Sequence, residues 1–175
     1  MLEGFKINNL RSIEDSGYIE NKPLTILVGR NSCGKSTFAR AFPLLRQSVE
    51  EKTRSAILWF GRYVDFGNFG DAVKSGKNEI TFSFKIRIKE NTNYFFDDQI
   101  YMLLEDGLSC LDDGTIECAL TISQKSDKKS HHQFIKKIKI ENFSNIITLE
   151  SDPSGTITSF KVNEMELIDS KDEES

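Results

Sequence analysis

The chain has 175 residues, and its 23 lysines and arginines against 27 acidic residues give a formal net charge of -4. The length and the 38% hydrophobic content fit one domain with its own core, or one lobe of a larger domain, and they exclude a wholly disordered chain. The longest apolar runs span about five residues, whereas a transmembrane helix needs roughly 20, so we expect no membrane partner. The N-terminus lacks a signal-peptide pattern, and we expect a cytoplasmic protein.

The first 28 residues predict strands. Phe5 and Ile7 alternate with polar neighbours, and a second short apolar stretch follows a polar turn near Gly17. Residues 24–28 read Leu-Thr-Ile-Leu-Val, which is nearly continuous in apolar side chains. This pattern is typical of a strand that is buried on both faces.

Residues 35–48 have the spacing of an amphipathic helix, because apolar side chains recur three and four positions apart. Pro43 predicts that this helix kinks or ends in its third turn. Residues 50–60 are compatible with a second short helix. Residues 61–76 combine four glycines with three aromatic side chains, and they predict an ordered loop that is anchored by its rings.

The second half of the chain predicts antiparallel strands. From Glu79 onward, apolar and polar side chains alternate in several runs, and turn signals separate the runs. We therefore predict an extensive antiparallel sheet over about residues 79–163, within one N-terminal lobe that spans residues 1–168. Residues 169–175 are an acidic tail or the start of a further segment.

Residues 29–36 contain a recognisable ligand-binding motif. They read Gly-Arg-Asn-Ser-Cys-Gly-Lys-Ser and match the P-loop pattern G-x-x-x-x-G-K-[ST] in full. Such a loop turns backbone N–H groups toward phosphate oxygens, and the helix after it directs its N-terminal dipole at the same charge. The predicted nucleotide-binding residues are Gly29, Arg30, Asn31, Ser32, Cys33, Gly34, Lys35, Ser36 and Thr37.

The motif assigns ATP and Mg²⁺ as ligands. Lys35 is expected to bridge the β- and γ-phosphates, Ser36 to ligate Mg²⁺, and Thr37 to reach the α-phosphate. A chance glycine-rich turn is the weaker interpretation, because a predicted strand leads into the loop and a predicted helix leaves it. The three cysteines and the two adjacent histidines lack the spacing of a zinc site.

The order of elements around this motif resembles the nucleotide-binding heads of ABC, SMC and RecF proteins. Asn31 gives the loop the form G-x-N-x-x-G-K-S-T, which is frequent in SMC, RecF and OLD-type ATPases, and residues 5–13 resemble their opening strand. Residues 34–38, 42–48 and 63–69 are similar to AAA-family ATPases of the SMC/OLD type from bacterial anti-phage systems, including the Septu ATPase and its retron-associated relatives. The likeness covers about the first half of the chain.

This resemblance implies an α/β P-loop NTPase fold, in which an ABC/SMC-head-like first lobe joins the P-loop strand and helix to an extensive antiparallel β-subdomain. It implies that Arg11 and Ser12 lie beside the nucleotide. The alternative is that Arg11 is an exposed basic residue at the end of a strand. The resemblance also implies a homo-oligomer through ATP-sandwiched heads, a nuclease or other effector subunit as partner, and contact with nucleic acid.

Two elements of such an ATPase are not recognisable in the sequence. Residues 100–106 end in Glu-Asp, whereas a Walker B strand ends in Asp-Glu, and residues 108–111 lack the glycines of the Leu-Ser-Gly-Gly signature motif. No catalytic residue is therefore identified. ATP hydrolysis to ADP and phosphate is expected only if a second lobe supplies these motifs.

Two hypotheses follow. The first is an ATP-binding lobe whose nucleotide-driven head dimerisation regulates a DNA-directed or anti-phage defence complex. The second is a nucleotide-binding scaffold that does not hydrolyse ATP and acts through partners. A small-molecule kinase is disfavoured, because no parallel βαβ continuation or arginine-rich lid follows the P-loop. Six lysines at residues 125–139 form a candidate patch for nucleic acid, although lysines also protect exposed strand edges.

Overall fold

The computed structural model describes residues 1–53, 55–87, 114–127, 130–142 and 145–169. The two segments compared above with Walker B and signature motifs therefore lie outside the described residues. The described residues form nine strands and two helices. These are β1 (Leu2–Leu10), β2 (Ile13–Asp15), β3 (Ile19–Glu20), α1 (Lys35–Glu50), α2 (Phe69–Ala72), β4 (Glu79–Arg87), β5 (Thr115–Asp127), β6 (Ser130–Glu141), β7 (Ile146–Ser151), β8 (Ile157–Val162) and β9 (Met165–Asp169).

All nine strands belong to one antiparallel sheet. Its order is β2-β1-β4-β5-β6-β7-β8-β9, and β3 pairs with β1 along the same edge as β2. From β4 to β9, each strand pairs with the next one in the chain. The predicted antiparallel sheet is confirmed, and it continues to Asp169, past the predicted limit near residue 163.

The core lies on one face of β1, β4 and β5, where α1 and residues 57–73 cover the sheet. The buried side chains are Phe5, Ile7, Leu10, Ile80, Phe82 and Ile122 from the strands, Phe38, Ala41 and Leu44 from α1, and Ile57, Trp59, Val64, Phe66, Phe69 and Ala72 from the covering segment. The prediction of a ring-anchored loop is confirmed for Phe66 and Phe69, whereas Tyr63 lies at the surface.

Residues 24–28 do not form the predicted strand. Within the described part of the chain, no backbone hydrogen bond pairs them with a neighbour. Leu24, Ile26 and Val28 are 77%, 72% and 83% exposed, while Leu27 packs against the core. The prediction of a strand buried on both faces is therefore wrong for the described residues. Burial of such a strand requires a neighbour on each side, and the described strands pair elsewhere in the sheet.

The helix α1 continues two residues past its predicted limit at residue 48, and of the two predicted effects of Pro43, a kink or an end, the end does not occur. It runs as one helix from Lys35 to Glu50 with the proline inside it. Buried side chains on both sides of the proline, including Ala41 and Leu44, pack on the sheet and outweigh the lost backbone hydrogen bond. The prediction of a second short helix is also wrong, because the described part of residues 51–60 contains no helix.

Neither α1 nor α2 has the length and apolar character to traverse a bilayer, as judged over the described residues.

Candidate nucleotide-binding site

The predicted P-loop connects residues 24–28 to α1. The helix begins at Lys35, as the motif predicts, and Gly34 is its N-cap with a left-handed backbone (φ 102°). No side chain caps this end of the helix. Because the first N–H groups of a helix have no partner within it, those of Lys35, Ser36 and Thr37 are available to an anion.

Gly34 packs against the turn between β1 and β2. A β-carbon at this position would lie 2.7 Å from Cγ1 of Ile13 and 3.3 Å from Oγ of Ser12. The positive φ also favours glycine here. The close packing brings Ser12 against the P-loop, and its contact with a nucleotide stays a prediction.

The amine of Lys35 spans the P-loop. Its Nζ donates to the carbonyl oxygens of Gly29 (2.8 Å) and Arg30 (2.6 Å), and Sγ of Cys33 is 3.7 Å away. These contacts hold a positive charge within the loop, next to the free N–H groups at the start of α1. The arrangement fits an anionic ligand.

The surroundings of the loop fit a polyphosphate with its divalent cation. Residues 29–33 are exposed, and the first turn of α1 contains no acidic side chain. Across the described ranges, no group of three or more His, Cys, Asp and Glu side chains could hold a metal ion. Ligation of Mg²⁺ by Ser36 stays a prediction.

Arg11 occupies the same turn as Ser12, and its side chain packs on the loop that follows α1. Its backbone N–H donates to the carbonyl of Ala72 (2.7 Å). Its guanidinium lies over the ring of Phe66, with 4.5 Å between Cζ and the ring centroid. Arg11 is half-buried, so it is not the exposed residue of the alternative interpretation. Its contact with a nucleotide stays a prediction.

Two residues of α1 that sequence reasoning missed hold this loop. The guanidinium of Arg40 lies over the same Phe66 ring, at 5.1 Å, and donates to the carbonyl of Asp65 (2.9 Å). Gln47 is fully buried and forms hydrogen bonds with backbone groups of residues 58–64. Arg40 follows Ser36 by four residues and so shares its face of the helix, but this spacing does not indicate its contacts with Phe66 and Asp65.

Carboxylates lie beside several described lysines of the candidate patch for nucleic acid. Lysines 128 and 129 lie outside the described residues, and contact with nucleic acid stays a prediction. Three of the described lysines form ion pairs: Lys136 with Glu79, Lys137 with Glu150, and Lys139 with Glu141.

A cavity of about 220 Å³ lies on the other face of the sheet, away from α1, and is lined by polar side chains of β1, β4, β5 and β6. Tyr18 donates to the carboxylate of Glu117 (2.9 Å), which also pairs with Lys85 (2.8 Å). Burial raises the pKa of Glu117, but the hydrogen bonds from Lys85 and Tyr18 outweigh it, so that this pKa lies below its usual value. Burial and the bond to Glu117 raise the pKa of Tyr18. Since these groups satisfy one another, we assign no ligand here.

Comparison with known proteins agrees with the motif. A family model described as AAA ATPase domain matches residues 1–173. No curated protein sequence matches the chain.

Proposed function

Because the chain belongs to the AAA ATPase domain family, we propose that it is the ATP-binding lobe of an ATPase of the SMC/ABC-like kind. The observation that carries the proposal is the start of α1, where a complete P-loop places a lysine amine across the loop beside free helical N–H groups. Family membership supports nucleotide binding in general. The role as one lobe of such an ATPase rests on the resemblance of its motifs.

In this proposal, each part of the loop has one task. Lys35 binds the β- and γ-phosphates, Ser36 ligates Mg²⁺, and Thr37 contacts the α-phosphate. The backbone of residues 29–34 wraps around the phosphates. Mg²⁺, when bound, supplies charge neutralisation on the phosphate oxygens.

Lys35→Ala tests the proposal. The variant should bind ATP roughly 10- to 150-fold more weakly, because a hydrogen bond to a charged group contributes about 1.5–3 kcal/mol. Isothermal titration of the chain with ATP and Mg²⁺ measures this ratio. Lys22→Ala is the matched control, since Lys22 is exposed and pairs with Glu20. Equal ATP affinity in folded Lys35→Ala and wild type would overturn the proposal.

We also propose that ATP brings two copies together and that this association regulates a DNA-directed or anti-phage complex with a nuclease or other effector subunit. The exposure of residues 29–33 supports the first step, because a nucleotide there would present an open side to a second copy. Sedimentation should show a doubling of mass with ATP and Mg²⁺, but not with ADP or for Lys35→Ala. A mass that stays constant while ATP binds would overturn the proposed association of two copies but not the proposed ATP binding.

A non-hydrolysing scaffold is the second candidate function. It is favoured by the sequence, in which no Walker B strand with the carboxylate of a catalytic glutamate is recognisable. Such a carboxylate would be needed to activate the attacking water. Release of phosphate from ATP by the purified chain, lost in Lys35→Ala, would exclude this candidate.

A further inference from the structure

Two arginines from different elements share one aromatic ring beside the P-loop. Cζ of Arg11 and Cζ of Arg40 lie 4.5 Å and 5.1 Å from the centroid of Phe66. The ring is fully buried, so it is held in place by the core. Arg40 is further fixed by its hydrogen bond to the carbonyl of Asp65, whose carboxylate accepts instead from the N–H of Gly67 (2.7 Å).

Neither guanidinium has a carboxylate partner among the described residues, although most other charged side chains of this sheet and helix do. Two guanidinium charges around one ring make this region positively charged, which favours an anionic ligand. A guanidinium has five N–H donors in a planar fork, so Arg40 and Arg11 retain donors for such a ligand.

The position of Arg11 and Arg40 indicates which anion they would bind. Arg40 follows Ser36 by one helical turn on the same face of α1. Arg11 precedes Ser12, whose Oγ would be 3.3 Å from a β-carbon on Gly34. The pair therefore borders the Ser36 side of the P-loop, where Mg²⁺ and the terminal phosphate of a nucleoside triphosphate are expected.

We propose that Phe66 and Arg40 are positioning residues, which hold the guanidinium of Arg11 against the terminal phosphate of ATP. The stacked ring restricts the side chain of Arg11, and Arg40 holds the segment that carries the ring through its hydrogen bond to the carbonyl of Asp65. The site then prefers a nucleoside triphosphate over a diphosphate, because ADP lacks the group that Arg11 binds. This inference rests on the proposed nucleotide binding.

A double-mutant cycle tests the inference through the ratio of ATP to ADP affinity, measured by titration with Mg²⁺. Arg11→Gln should lower ATP affinity about tenfold or more and leave ADP affinity within about twofold, because one charge-assisted contact is lost. Arg40→Gln should lower the ratio of ATP to ADP affinity by a smaller factor than Arg11→Gln does. The double variant should lower it no further than Arg11→Gln does, since Arg40 acts through Arg11.

Arg46→Gln is the matched control. Arg46 also lies on α1 and also stacks on an aromatic ring, at 5.0 Å from Tyr63, but it is far from the P-loop in the helix. The ratio of ATP to ADP affinity in this variant should equal that of the wild type. Thermal melting of every variant checks that it is folded.

Four results would overturn the inference. Equal losses of ATP and ADP affinity in Arg40→Gln would indicate a merely structural role. Additive losses in the double variant would indicate that the two arginines act independently. A wild-type chain that binds neither nucleotide would overturn the proposed function together with the inference, whereas unchanged ratios in a wild-type chain that binds ATP would overturn the inference alone.

Discussion

At the scale of single residues, Gln47 holds the covering loop to α1. Its Nε2 donates to the carbonyls of Leu58 (2.6 Å) and Val64 (3.3 Å), and its Oε1 accepts from the N–H groups of Tyr63 and Val64, both at 3.1 Å. The side chain is fully buried, and a β-carbon on Gly61 would lie only 2.9 Å from its Cδ. One amide therefore satisfies four backbone bonds of an irregular segment that covers the core.

Gln47→Leu should destabilise the fold by roughly 3 kcal/mol or more, because each buried backbone group left without a partner costs about 1–3 kcal/mol. The free energy of unfolding in urea measures this loss. Val49→Ala is the control on the same helix, since Val49 is 86% exposed and should change stability by about 0.5 kcal/mol at most. A loss below about 1 kcal/mol for Gln47→Leu would contradict this account.

The residues of the P-loop could be predicted from the sequence, but those that hold the neighbouring loop could not. The motif is short and local, and its glycine and lysine positions follow from backbone geometry and charge. Gln47 and Arg40 look like ordinary polar positions of an amphipathic helix. Their partners lie 11 to 25 positions away in an irregular segment, which no periodic pattern locates.

At the scale of elements, the segment at residues 24–28 differs most from its sequence pattern. Its composition is that of a buried strand, yet three of its side chains are largely exposed and its backbone has no partner in the described chain. An unpaired apolar strand is open to pairing with another strand. The P-loop thus follows a segment that the rest of the described fold does not fix.

Hydrogen exchange should distinguish this segment from its neighbours. The amides of residues 24–28 should exchange rapidly, because they make no hydrogen bond in the described chain, while those of β1 and β4 should be strongly protected. Exchange of the isolated chain followed by mass spectrometry or NMR measures this contrast. Protection of residues 24–28 equal to that of β1 would show that the segment is a paired strand.

Elements with local signals were predicted better than elements that depend on neighbours. The alternation of apolar and polar side chains in β4 predicted both a strand and its buried face. The spacing of apolar side chains after residue 34 predicted α1. The behaviour at Pro43 was not predictable, because a proline costs a helix about 3 kcal/mol and only tertiary packing shows whether burial exceeds that cost. The exposure of residues 24–28 likewise depends on which strands lie beside them.

At the scale of the whole molecule, the two faces of the sheet differ in their packing and charge. One face of β1, β4 and β5 packs on α1 and thereby fixes the start of that helix, where the P-loop lies. The opposite face carries ion pairs such as Lys6–Asp15 and Lys85–Glu117. The antiparallel order of β5 to β9 was predictable, because short connections join these consecutive strands. The P-loop sequence lies at the start of α1, where we propose that ATP binds.

The central claim is that ATP binds at the start of α1, and NMR of the ¹⁵N-labelled chain tests it most directly. Addition of ATP and Mg²⁺ should shift the backbone amide signals of residues 29–37 more than any others, and Lys35→Ala should abolish these shifts. Shifts that are largest elsewhere, for example at the lysines of β6, or that persist in Lys35→Ala, would contradict the claim.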